Sequence, residues 1–120
     1  MTLDELRALL LDRPGVTEET PFGPDVLVYK VAGKIFALLS WNALPLRLSL
    51  KCRPGHSEVL RAEYAAITPG YHLNKRHWNT LALDGTLPDA LVGDLIDESY
   101  VLVVDKLPLA TRRALSGDSA

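Results

Sequence analysis

Cysteine occurs once in the chain, at Cys52. A single cysteine excludes an internal disulfide and any metal site built from a cysteine cluster. No apolar run approaches the ~18 residues of a membrane span, so no membrane association is expected. Catalytic signatures are missing as well. There is no G-x-S-x-G, no P-loop, no G-x-G-x-x-G and no H-E-x-x-H string, and no enzymatic activity is expected. A secretory signal is not apparent either. Asp4 and Glu5 stand where its basic segment should be, and the apolar stretch from Ala8 to Leu11 is too short. The expectation is a cytoplasmic protein.

What remains is ordinary globular material: 120 residues, 48% apolar and 23% charged, enough for one domain with its own core. The net charge of −2 argues against an anionic partner until it is divided along the chain. Residues 1–25 and 84–120 each carry −4. Residues 26–83 carry +6, from Lys30, Lys34, Arg47, Lys51, Arg53, Arg61, Lys75 and Arg76 against Glu58 and Glu63. Either the basic middle pairs with the acidic ends inside the fold, or it faces a polar partner.

Thr2 and Glu5 have capping-box spacing, and Leu3, Leu6 and Leu10 form a helical stripe that Pro14-Gly15 stops. Residues 16–24 read as a loop. Val26–Val31 and Lys34–Trp41 read as strands joined at Ala32-Gly33. In the next run Leu46, Leu48, Leu50 and Cys52 alternate with Arg47, Ser49, Lys51 and Arg53, which predicts a half-buried strand. Residues 57–64 predict a short helix, 67–77 a loop and 78–83 a fourth strand. A long helix, capped near Thr86 and Asp89, should run to about Lys106. Leu46, Leu48, Leu50, Leu81, Leu83, Leu95 and Ile96 are expected to be buried together. This order predicts an α+β, two-layer fold, an antiparallel sheet with helices packed on one face. A single domain over 1–108 and a flexible tail over 109–120 complete it.

Several strings are more particular. They are Pro21-Phe22-Gly23-Pro24-Asp25-Val26-Leu27-Val28-Tyr29-Lys30-Val31, Gly33-Lys34-Ile35-Phe36-Ala37-Leu38 and Leu50-Lys51-Cys52-Arg53-Pro54. The longest is Pro69-Gly70-Tyr71-His72-Leu73-Asn74-Lys75-Arg76-His77-Trp78-Asn79-Thr80, and Ile96-Asp97-Glu98-Ser99-Tyr100 and Lys106-Leu107-Pro108 follow. Over residues 2–108 the chain resembles the MmcQ/YjbR family. That resemblance implies a CyaY-like (frataxin-like) fold and DNA binding through a double-wing motif.

The residues offer a matching site. Arg47, Lys51 and Arg53 share one face of their strand, and Lys75, Arg76 and His77 lead into Trp78. Phosphates need Lys and Arg on one surface, and an aromatic ring can stack on a base. If the two strands are neighbours, these seven residues form one patch, with Tyr71, His72 and Asn74 as loop contacts. The expected partner is DNA, bound by a monomer with low sequence specificity, because no recognition helix is evident. The competing reading is a protein-interaction module that uses the exposed sheet face, with Trp78 as its hot spot. No metal and no cofactor are expected. His72 and His77 are five apart, which suits neither a helix face nor a strand face. Cys52, on the leucine parity, reads as buried and inert. The acids of the two ends read as helix caps and solvated faces.

Overall fold

The first helix, α1 (Leu3–Leu11), starts as its spacing predicts: the Thr2 hydroxyl accepts from the Glu5 N–H at 3.1 Å. In the computed structural model, which describes residues 1–70 and 73–117, it is followed by β1 (Val16–Glu19), β2 (Val26–Val31), β3 (Lys34–Ser40) and β4 (Leu46–Lys51). Then come α2 (Pro54–Glu63), β5 (Ile67–Pro69), β6 (Trp78–Leu83), α3 (Asp89–Val104) and α4 (Leu109–Leu115). The six strands make one antiparallel sheet in the order β1-β2-β3-β4-β6-β5.

Strand alternation sorts the sheet into two faces. Ala37 and Leu39 of β3, Leu48 and Leu50 of β4 and Leu81 of β6 belong to one buried cluster. Leu6 and Leu10 of α1, Leu60 of α2 and Leu95 and Ile96 of α3 complete it. The helices therefore cover one face, and the domain is a two-layer α+β fold. Leu46 and Leu83 are only half-buried, because they pair at the end of the β4–β6 ladder where the helix layer thins.

Four local expectations are corrected. Residues 16–19 are a strand rather than a loop. Glu18 points inward, and Arg7 (2.6 and 3.0 Å) and the Tyr29 hydroxyl (2.6 Å) both donate to it. Hydrogen bonds from Arg7 are the main reason its carboxyl is held below the usual range. Part of the expected 67–77 loop is the short edge strand β5. The start of α3 has no side-chain cap: Pro88 occupies the cap position, and Asp84 instead binds the Thr86 N–H and hydroxyl within the preceding turn. The expected tail contains α4. Pro108 begins it, a position where the missing proline N–H costs nothing, and Leu115 packs against the core beside Gly15. Among the described residues no helix is long and apolar enough to cross a membrane.

Candidate nucleic-acid interface

β4 and β6 are neighbours, and their register sets the geometry of the candidate surface. Lys51 stands opposite Trp78, Ser49 opposite Thr80 and Arg47 opposite Ala82. Ser49 and Thr80 join hydroxyls at 2.8 Å, so this parity forms one half-exposed polar stripe, on the side away from the leucines. Lys51 and Trp78 lie at one end of it. Arg47 is exposed on the same stripe but four residues away, or ~13 Å at the strand rise.

The turn before β6 is built locally. The Asn74 carboxamide oxygen accepts from the Arg76 N–H at 3.0 Å, and its backbone C=O accepts from the N–H groups of His77 and Trp78. From α2, the Arg61 guanidinium donates to the Lys75 C=O (2.8 Å), the Ser57 hydroxyl and the buried Asn79 carboxamide. Asn74 and Arg61 thus shape the turn, and Lys75 and Arg76 are left exposed on it. His77 precedes Trp78 by one residue and so takes the opposite parity; its C=O extends the ladder by accepting from the Cys52 N–H at 2.7 Å. Tyr71 and His72 lie outside the described residues.

Gly70 closes the turn against Trp78. A Cβ at this position would come within 2.9 Å of the Trp78 Cβ and 3.2 Å of the Leu73 Cβ, atoms fixed to their backbones. Gly70→Ala is expected to cost about 1 kcal/mol and to displace Trp78. In a Trp41→Phe background Trp78 is the only tryptophan, and its emission maximum reports the shift; an unchanged spectrum and melt would contradict the expectation.

Two cations missed in the sequence join Lys51. Lys34 of β3 and Lys106, just past α3, line with it a cavity of about 390 Å³ whose apolar walls are Ile35, Val103 and Leu107. Nothing in the spacing of residues 34, 51 and 106 announces this; the antiparallel β3–β4 pairing and the length of α3 bring them together. Burial and then the nearby Lys106 charge lower the pKa of the Lys51 ammonium. Among the described residues Lys34, Lys51, Lys75, Arg76 and Lys106 have no carboxylate within 4.0 Å. Pairing of the basic middle with acids does occur elsewhere: Lys30 meets Glu19 at 3.5 Å and Arg53 meets Glu98 at 2.9 Å.

Arg53 therefore leaves the expected patch. It sits at the cap position of α2 and is held by Glu98 of α3. The same carboxylate accepts from the Cys52 thiol at 2.8 Å and contacts His56 Nδ1 at 2.8 Å. Burial pushes the Cys52 thiol up to about 12, with the Glu98 hydrogen bond adding to it. Burial also works to raise the Glu98 pKa, but the Cys52 and His56 hydrogen bonds and the His56 and Arg53 charges outweigh it, so the carboxyl stays below its usual value.

A helix-backed six-stranded antiparallel sheet places the chain in a class of small α+β domains that also includes solved structures. The Deinococcus radiodurans protein DR2400, described by the domain DUF419, superposes with a TM-score of 0.87 at 43% identity, over 99% of this chain and 91% of its own. A Pseudomonas syringae protein gives a TM-score of 0.74 at 27% identity, over 85% and 98%. The chain belongs to the YjbR family, whose model matches residues 11–102. It is 35% identical over 115 residues to YjbR of Escherichia coli K12, covering 96% of this chain and 98% of that one. It is 41% identical over 102 residues to YbdF of E. coli O157:H7, covering 84% and 83%.

Proposed function

We propose that the chain is a non-catalytic, cytoplasmic nucleic-acid-binding module. It contacts phosphates at the end of the sheet formed by Lys34, Lys51, Lys75, Arg76 and Lys106, with Trp78 as its stacking surface. One observation carries this reading: Lys51 faces Trp78 across β4–β6 while sharing a cavity with two further lysines and, among the described residues, no carboxylate. Like charges gathered without a counter-ion repel one another. A polyanion turns that repulsion into binding energy, and the aromatic ring beside it offers a face to a base. The proposed contacts come from strands, a turn and the end of α3, so they position the strand without reading its sequence. Arg47, on the far end of the same stripe, can reach a later phosphate, whereas Arg53 and His77 play no part.

Fluorescence anisotropy with a labelled 20-mer, single-stranded and duplex, tests this. With about three to five phosphates engaged, log affinity should fall against log salt with a slope of about −3 to −4.5 on duplex. Lys75→Ala with Arg76→Ala should make the slope shallower by about two. Trp78→Ala should cost single-strand affinity about 1–3 kcal/mol and leave the slope unchanged, because stacking releases no counter-ions. If neither probe binds in low salt, the reading fails, and a protein contact centred on Trp78 takes its place.

A further inference from the structure

On the opposite parity from Trp78, three side chains of different chemistry converge from three elements. Cys52 continues β4, His56 lies in the first turn of α2, and Glu98 lies within α3. We propose that Cys52 Sγ, His56 Nδ1 and the Glu98 carboxylate bind one divalent ion of the zinc class, with a fourth position open to solvent. The donor atoms all lie within 4.8 Å of one another. Sγ is 2.8 Å from Oε2, Nδ1 is 2.8 Å from Oε1, and Sγ is 3.7 Å from Nδ1. Ligands around tetrahedral zinc, at bond lengths of 2.0–2.3 Å, stand roughly 3.3–3.7 Å apart. The Cys52–His56 edge already has that spacing. The two shorter edges are hydrogen bonds, and the ion takes the place of their protons as the carboxylate moves outward by about half an ångström.

The donor set favours this class of ion. A thiolate, an imidazole and a carboxylate suit zinc or cobalt(II), whereas calcium and magnesium require oxygen ligands. His56 and Glu98 are carried on helices, and the Cys52 backbone is tied to β6 by its N–H bond to the His77 C=O, so little must be ordered on binding. The site is also reachable. Cys52 is buried, but His56 is 36% exposed, and Glu98 lines a shallow cavity of about 360 Å³ with Arg53, Asp97, Val101, Leu102 and Asp105. A water entering from that side completes four-coordination. Arg53, on Glu98 Oε1, is the competing cation; its side chain is 67% exposed and free to swing away.

Cobalt(II) titration of the full chain, with the thiol kept reduced, tests the proposal independently of nucleic-acid binding, because the phosphate surface uses none of the three donors. One equivalent should produce thiolate-to-cobalt charge-transfer absorption, and one equivalent of zinc should abolish it. Cys52→Ser should remove the absorption. His56→Ala and Glu98→Gln should each weaken binding by at least about tenfold, no less than the loss of an outer-shell partner. Arg53→Ala should tighten binding, an effect that a purely structural hydrogen-bond cluster would not produce. The proposal is overturned if the wild-type protein shows no thiolate band at millimolar cobalt, if the band persists in Cys52→Ser, or if His56→Ala binds as tightly as wild type. The wild-type titration decides the matter even if a variant fails to fold.

Discussion

Ser99→Ala is expected to destabilise the fold by about 2–4 kcal/mol. The β3–β4 ladder stops at the pair Ala37 and Leu50. The Phe36 C=O and the Lys51 N–H flank that last pair at the end of the ladder. The Ser99 hydroxyl of α3, which is 0% exposed, stands between them: it donates to the Phe36 C=O and accepts from the Lys51 N–H at 2.8 Å. Alanine would remove both hydroxyl bonds beneath a packed helix, and each such loss costs ~1–3 kcal/mol. Helix propensity works the other way, since alanine is the better helix former, so a measured loss belongs to the hydroxyl. Urea unfolding of wild type and variant measures it. A difference below about 0.5 kcal/mol would mean that the strands close on each other once the hydroxyl is gone. Because the same peptide carries Lys51, the substitution should also loosen the lysine opposite Trp78 and weaken phosphate binding.

Ser99 also marks where the sequence stops being readable. β4 was legible because four apolar residues alternate with four polar ones, a pattern that a helix layer over one face requires. α1 was legible from its cap, and the core from the leucine stripes. β1 was not, because one of its two inward residues is Glu18, an acid that reads as loop until Arg7 and Tyr29 are seen to satisfy it. At three residues, with a proline in it, β5 is too short to show a period; as an edge strand it tolerates the missing N–H. α4 shows no apolar periodicity in the sequence, and Pro108, just past α3, opens it. The candidate surface divides the same way. Lys51 and Trp78 could be anticipated on neighbouring strands because both elements were visible. Lys34 and Lys106 could not, since their proximity depends on the β3–β4 pairing and on where α3 ends. Arg53 shared the parity of Lys51 on paper, but the chain turns into α2 at that residue and Glu98 captures it. The Cys52–His56 spacing is local, yet its third member lies 46 residues away from Cys52 and enters only through the packing of α3.

The folded chain should lose stability at alkaline pH through Cys52 in particular. An unfolded thiol releases its proton near the usual value of 9, whereas burial and Glu98 raise the folded thiol to about 12. Below pH 9 both states hold the proton and the thiol makes stability no function of pH. Between about 9 and about 12 the unfolded chain loses its proton and the native state keeps its own, so the native state binds one proton more. Unfolding free energy then falls with pH, by ~1.4 kcal/mol per pH unit for a full proton, and by up to about 4 kcal/mol over the window. Tyr29 contributes in the same direction, because burial and the Glu18 hydrogen bond raise its phenol as well. Comparison with Cys52→Ser separates the two: serine keeps the size and the donor to Glu98 but does not titrate, so the variant should be progressively less alkali-sensitive than wild type above pH 9. Urea melts at pH 8, 9, 10 and 11, with a chelator present, give the difference directly. Parallel slopes for the two proteins would show that the thiol proton leaves the folded state as easily as the unfolded one, and that Cys52 is not held by Glu98.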